Sequence, residues 1–595
     1  MRISATFRAV LAAAMAAGAA WVVAAQQPGR TAAKAGKVTQ AKLNNAAKDG
    51  TEWLTYGRDY AETHFSPLKQ ISDKNVNRLG LAFAYDPQMS GAFESTPLVS
   101  NGILYGTGAW SVVFAIDAKT GAYKWRFDPE VTRGFISHLC CGPETRGLAL
   151  YNGKVYVTPL DGRLIALDQE TGKKLWSVET TPKDSYYSIT SPPRVVKGHV
   201  IVGNAGAEFG VRGYFGAYDA ETGKQEWRFY TVPGDPSKPF EHPELAAAAK
   251  TWNGAWWEHG GGGTVWDAMA YDPEANLLYV GTGNGAPWNR DVRSPGGGDN
   301  LYLASILAVN PDTGRMKWYY QTTPGDTWDF NSTQSLILAD LPMGGVTRKV
   351  IMQAPKNGFY FVIDRISGEF ISAEMYTAVN WAKGFDKKGR PIETANARYK
   401  NEPIRLWAGG GGAHNWPPMA FSPLTNLAYL PGQNRPFSFA QDPNFRWQEG
   451  KQNFAATFPP LPNQPVAPGP ANFLVAWDPI AQKERWRIAY PGGGFNGGAM
   501  ATAGNLVFHG VAVNGMFYAY DATSGSKLWE IKLSPGMATP VTYEMDGVQY
   551  VAVIAGRGEQ GRLYTFALDG KAPMPALPSA PGAKGGKAVA AKGKQ

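Results

Sequence analysis

The chain has 595 residues, of which 18% are charged, 70 are glycine and 20 are tryptophan. That mix argues against a disordered chain or a helical bundle and for many tight turns with buried aromatic anchors. The net charge of +9 sits at the ends: residues 1–49 contribute +6 and residues 571–595 contribute +5, leaving −2 for residues 50–570 and no case for a nucleic-acid-binding body.

In chain order, residues 1–25 are expected to be an export signal, which would deliver the protein to the periplasm. Arg2 and Arg8 give a positive start, Leu11 to Val23 form a short apolar stretch, and Val23-Ala24-Ala25 suits cleavage. No later segment is long and apolar enough to span a bilayer. Residues 26–49 are expected to be a flexible lead and residues 50–570 one propeller. Residues 571–595 form a Lys/Ala/Pro/Gly tail with too little apolar surface to fold alone.

The body carries an internal repeat. Asp117-Ala-Lys-Thr-Gly-Ala-Tyr-Lys-Trp125 recurs with Asp168, Gly172 and Trp176, then with Asp219, Gly223 and Trp227, each copy starting 51 residues after the last. Further copies start at Asn310 and Asp521. Degenerate ones start at Asp364, which lacks the Trp, and at Asp478, which lacks the Thr-Gly. An Asp or Asn caps its own turn, Gly takes the positive φ, and the following strand carries a Trp into the seam between sheets. The spacing is that of propeller blades, and the repeat alone allows seven or eight. The segment Trp53–Gly57, with the strands around Tyr550–Ile554 and Leu563–Leu568, is expected to close the last sheet and remove its exposed edge.

The longest interruptions, Pro233–Gly263 and Phe370–Gly412, end in the tetrads Gly260–Gly263 and Gly409–Gly412. Their spacing is not that of a phosphate loop; flexible surface loops and close backbone packing near the axis both remain open. The two cysteines, Cys140 and Cys141, are neighbours, which excludes a C-x-x-C-H haem attachment and a thiolate zinc cluster. In an oxidising compartment they can close on each other, although such a ring closes no loop and adds almost nothing to stability. Two adjacent thiols is the other reading.

The Cys pair and the Trp repeat occur together with Gly-Ala-Glu-Phe-Gly-Val-Arg-Gly (206–213), Gly-Gly-Gly-Thr-Val-Trp-Asp (261–267), Gly-Thr-Gly-Asn (281–284) and Thr-Pro-Gly-Asp-Thr-Trp-Asp (323–329). In this order they resemble the quinoprotein alcohol dehydrogenases, from about Trp53 to Leu568. In detail they are most similar to the catalytic part of the quinohaemoprotein members. The resemblance implies an all-β, eight-bladed β-propeller with tryptophan-docking repeats that holds pyrroloquinoline quinone (PQQ) and a metal ion and oxidises an alcohol to an aldehyde or ketone. The chain ends before a cytochrome domain, so electrons are expected to leave to a separate cytochrome c.

Carried over residue by residue, the resemblance makes Glu208, Asn284 and Asp329 the metal ligands and Asp329 the catalytic base, with Asp326 as the residue most easily confused with it. Lys356 stabilises negative charge on the quinone oxygens, Trp266 stacks beneath the cofactor, and a Cys140–Cys141 disulfide covers the other face. Glu94, Arg146, Thr190, Gly206, Ala207, Thr264 and Asn415 fall at cofactor-contact positions, with Trp416 beside them. Lanthanide-using relatives carry an extra Asp where this chain has Asn331, so Ca²⁺ is the expected ion. A relative acting on aldehydes, sugars or bulky alcohols and a cofactor-free scaffold of envelope assembly are the competing readings.

Overall fold

The computed structural model describes residues 36–576 except 90, 401 and 462–466. The expected export signal and most of the expected tail lie outside the described residues. Strands dominate and assemble into an all-β, propeller-type fold: among the described residues there are seven four-stranded sheets and one five-stranded sheet. Within a typical sheet the strands follow in chain order, as in Leu98–Ser100, Ile103–Thr107, Val113–Asp117 and Tyr123–Phe127. Each strand pairs antiparallel with the next through a tight turn.

The repeat does what its residues predict. Asp117 Oδ1 accepts from the backbone N–H groups of Lys119 (3.1 Å) and Thr120 (3.0 Å) and from the Thr120 hydroxyl (2.9 Å). Trp125 then crosses to the neighbouring sheet, where its indole N–H donates to Gln169 O at 3.1 Å. Its ring lies over Gly172, at φ 68°, where a Cβ would come within 2.5 Å of the indole. The same stacking puts Trp176 on Gly223, Trp227 on Gly314, Trp318 on Gly368 and Trp486 on Gly525. The glycine therefore serves its own turn and receives the preceding sheet's anchor. Trp125→Ala removes a nearly buried anchor from this seam, and an expected loss of about 3–5 kcal/mol is read as a fall in the denaturation midpoint.

The two degenerate copies are complementary. The copy at Asp364 has no Trp to send forward, and the next one, at Asp478, has no Gly to receive it. The seam between these two sheets is built differently: Tyr360 packs against Trp477 with ring centroids 5.9 Å apart, and Gln482 Nε2 donates to Ser372 Oγ at 2.8 Å.

The chain ends meet in one sheet, but not through the segment the sequence suggests. Leu79–Tyr85, with its alternating burial, pairs antiparallel with Arg562–Leu568, from Leu79 opposite Leu568 to Tyr85 opposite Leu563. Trp53–Gly57 is instead the start of a strap. Trp53 bridges to Val99; the carbonyls of Tyr60, Ala61, Thr63 and His64 then accept from Tyr271, Leu338, Phe421 and Ala501. The strap thus ties the first strands of five successive or facing sheets together, and its side chains are buried nearly throughout.

The described part of the expected flexible lead is also folded. Thr39 caps the short helix Gln40–Asn45, and Val38, Leu43 and Ala46 are buried. Val38 just before the cap, Leu43 in the helix and Ala46 at its end supply the burial that a free tether lacks.

Candidate active site

Two glycines set the first acidic residue. Glu208 lies in the single turn Ala207–Phe209, flanked by Gly206 and Gly210, both in left-handed conformation. Its Oε1 accepts from Asn284 Nδ2 at 2.8 Å and from Trp288 Nε1 at 3.0 Å. The Gly260–Gly263 tetrad makes this approach possible. Gly262, at φ 84°, packs its backbone on the carbonyl of Asn284, leaving no room for a side chain. Close packing, rather than surface flexibility, is what these glycines provide.

Asp329 is buried and held from both sides: Oδ2 accepts from Lys356 Nζ at 2.7 Å, and Oδ1 from Asn331 Nδ2 at 2.9 Å. Lys356 also donates to Gly410 O at 3.1 Å, which gives the second glycine tetrad its place in the site. Burial pushes the Asp329 carboxyl up to about 7; Lys356 pulls it down, and the nearby Glu208 charge pushes it up again. Asp326 is occupied otherwise, its Oδ1 capping the loop through the N–H groups of Trp328 and Phe330.

Asn331 joins these pieces. Its Oδ1 accepts from the indole of Trp266 at 3.1 Å and from the backbone of Asn284 at 3.0 Å, while its amide nitrogen donates to Asp329. A single amide thereby connects an aromatic plate, the Glu208–Asn284 pair and the buried acid. Sequence comparison marked Asn331 only as a metal-preference position; its bridging role rests on contacts 47 and 65 residues apart in the chain.

Over Trp266 lies the guanidinium of Arg146, 5.0 Å from the ring centroid, paired with Glu94 at 2.8 Å. Arg146 Nε and Nη1 find no hydrogen-bond partner among the described residues although both are buried. Thr190 Oγ1 reaches Trp266 O at 3.4 Å, and buried Thr264 accepts from Gly283 N through its carbonyl. Asn415 is more peripheral: its amide donates to Gly411 O at 2.8 Å. Trp416 beside it is buried.

Cys140 and Cys141 form a disulfide and are exposed. The loop carrying Gln452 and Asn453 links them to the site: Gln452 Nε2 donates to Cys140 O at 3.3 Å, and Asn453 N to Glu208 O at 2.9 Å. Next to this loop, Phe454 packs on Trp288 with centroids 4.5 Å apart, and Phe458 lies 5.8 Å from the same indole. These aromatics were not among the sequence candidates.

The residues fit a quinone and a hard cation. Two carboxylates and an amide converge, though no three Asp, Glu, His or Cys side chains gather as a complete metal cluster among the described residues. A half-buried indole and two guanidinium N–H groups without a partner among the described residues suit a flat, anionic ring system.

A propeller carrying such a plate, acid and lysine at one centre defines an oxidoreductase that works on a bound cofactor. The chain belongs to the PQQ-dependent glucose, ethanol and alcohol dehydrogenases, whose β-propeller domain matches residues 53–380 and 477–551. It is 52% identical over 570 residues to the quinohemoprotein alcohol dehydrogenase ADH IIB of Pseudomonas putida, covering 92% of this chain and 82% of that one. It is 45% identical over 553 residues to the 1-butanol dehydrogenase (cytochrome c) of Thauera butanivorans, covering 89% and 80%. The crystal structure of the Comamonas testosteroni quinohemoprotein alcohol dehydrogenase superposes with a TM-score of 0.86 at 48% identity, over 90% of this chain and 85% of that one.

Proposed function

We propose that the protein is a periplasmic, PQQ- and Ca²⁺-dependent dehydrogenase that oxidises an alcohol to an aldehyde or ketone and passes the electrons to a separate cytochrome c. In this reading the eight sheets are the eight blades of one closed ring. The observation that carries it is the Asn331 amide, which holds the plate of Trp266, the Glu208–Asn284 pair and Asp329 in one rigid unit.

When bound, the quinone supplies the two-electron hydride acceptor that no side chain provides. Glu208, Asn284 and Asp329 would hold Ca²⁺, a hard cation suited to oxygen donors. Asp329 takes the hydroxyl proton of the alcohol at a carboxylate oxygen, and Asn331 fixes the direction in which that oxygen faces. Lys356 places its positive charge next to the base and available to negative charge developing on the cofactor side. Trp266 would hold the quinone by stacking, and Arg146 through its two N–H groups that have no partner among the described residues. The aromatic wall of Trp288, Phe454 and Phe458 beside Glu208 suits the alkyl part of an alcohol better than a sugar.

Export is supported by the composition of the first 25 residues and by the vicinal disulfide. No helix among the described residues is long and apolar enough to cross a membrane. The test is an absorption spectrum and dye-linked alcohol oxidation after adding PQQ and Ca²⁺; failure to bind the quinone overturns the proposal. The double variant Cys140→Ala/Cys141→Ala should keep its fold, because the ring it opens closes no loop, and should bind PQQ less firmly or turn over more slowly. Wild-type affinity and rate in that variant would leave the disulfide without a role at the cofactor.

A further inference from the structure

The loop of residues 442–455 lies outside the four- and five-stranded sheets. It joins Phe437–Gln441 to Ala456–Thr457, paired strands of a small three-stranded sheet, and has no regular structure of its own. Trp447 lies on Gly210, at φ 86°, where a Cβ would come within 2.5 Å of the indole. The same indole stacks on His259 with ring centroids 3.9 Å apart. Residues 452 to 454 then each take one part of the centre. Gln452 reaches the carbonyl of Cys140, and Asn453 that of Glu208. Phe454 packs on Trp288, while its own carbonyl accepts from Asn289 N at 3.2 Å.

Asn453 is the pivot of these contacts. It is 2% exposed, although Arg446, Gln448, Glu449 and Lys451 around it are open to solvent. Its side chain closes the loop on itself: Oδ1 accepts from Gln448 N at 2.9 Å, and Nδ2 donates to Lys451 O at 2.7 Å and Gln448 O at 3.0 Å. Two donors of the same residue also meet at one outside atom. The backbone N–H at 2.9 Å and Nδ2 at 3.3 Å both reach Glu208 O. A loop that only closed itself would need neither.

The position of that carbonyl gives the contact its meaning. Glu208 lies in a single turn between two glycines in left-handed conformation, and glycine on both sides leaves the turn more backbone freedom than other residues would. A carboxylate that holds a cation is only as well aimed as the backbone beneath it, and such supporting contacts set metal affinity. Asn453 fixes the backbone end of Glu208. Trp288, backed by Phe454, holds the carboxylate end at Oε1.

We infer that Asn453 is a positioning residue of the metal centre: it holds the Glu208 carbonyl, and with it the direction of the Glu208 carboxylate toward Ca²⁺. This rests on the metal role proposed for Glu208 above. Because the same loop holds the Cys140 carbonyl and backs Trp288, the aim of the ligand is set together with the disulfide and the aromatic wall. The coupling is reciprocal. A loop in place favours the ion, and a bound ion favours the loop in place.

The test uses the full chain with saturating PQQ, and Ca²⁺ titrated calorimetrically into metal-free protein. Asn453→Ala should bind Ca²⁺ about tenfold or more weakly than the wild type, while the melting temperature of the metal-free protein changes little. Wild-type Ca²⁺ affinity in the variant, whatever its melting temperature, assigns Asn453 to the loop alone and overturns the inference. The wild type supplies a second reading that holds even where the variant does not fold. Trypsin can cut after the exposed Arg446 and Lys451, and Ca²⁺ should slow these cuts about fivefold or more relative to cleavage elsewhere in the chain. Equal cleavage of the loop with and without Ca²⁺ overturns the coupling. Failure of the wild type to take up Ca²⁺ with PQQ overturns the dehydrogenase function together with this inference, and the wild-type titration tells that outcome apart from the other two.

Discussion

Asp329→Asn is expected to lower alcohol turnover by about 10²–10⁴-fold while PQQ still binds. The substitution keeps the shape of the side chain and an oxygen that can face the metal ion, and removes its charge and its ability to take a proton. Lys356 loses its anionic partner but keeps the Gly410 carbonyl, so the ammonium is not left without an acceptor. Trp266, Arg146 and Glu94 are untouched, and the absorption of bound quinone reports whether the cofactor remains. Asp326→Asn is the control. Its carboxylate caps the loop through Trp328 N and Phe330 N, so its loss should appear as a lower melting temperature rather than as a lost proton transfer. A rate within tenfold of wild type in Asp329→Asn, with PQQ bound, would remove Asp329 from the role of base.

How much of this could be read from the chain depends on the range of the interaction. The repeat was legible because each turn is local: Asp117 caps a turn three residues long, and the Gly of the same turn marks where the preceding sheet's Trp lands, as Gly172 does for Trp125. Even the two defective copies follow that logic, since each has lost one half of a single seam. The closing strand was misplaced for the same reason. Leu79–Tyr85 has the alternating burial of a strand, but its partner lies almost 500 residues away. Trp53–Gly57, rich in large residues, is buried because it crosses several sheets rather than because it joins one. Among the site residues, family motifs pointed to Glu208, Asn284, Asp329 and Lys356 through their neighbours. Trp288, Phe454 and Phe458 belong to no such set, and only three-dimensional contacts bring them in.

Asn331→Asp tests the charge balance of the centre. The new carboxylate can still accept from the Trp266 indole and the Asn284 backbone, as the amide oxygen does now. What it cannot do is donate to Asp329, where the amide nitrogen now lies 2.9 Å from Oδ1. Two carboxylates then face each other next to Glu208, and like charges this close disfavour full ionisation of both. A divalent ion neutralises less of that set than a trivalent one. Activity with Ca²⁺ is therefore expected to fall by about 10–100-fold, and the preference in reconstitution should move toward a lanthanide. Both are measured by titrating the metal-free protein with each ion at fixed PQQ and following alcohol-dependent dye reduction. Restored turnover with the lanthanide assigns the Ca²⁺ defect to charge. Loss with both ions assigns it to the missing hydrogen bond, and an unchanged preference overturns the argument that Asn331 sets the metal. The two outcomes separate because the amide oxygen and the amide nitrogen of this one residue serve different partners.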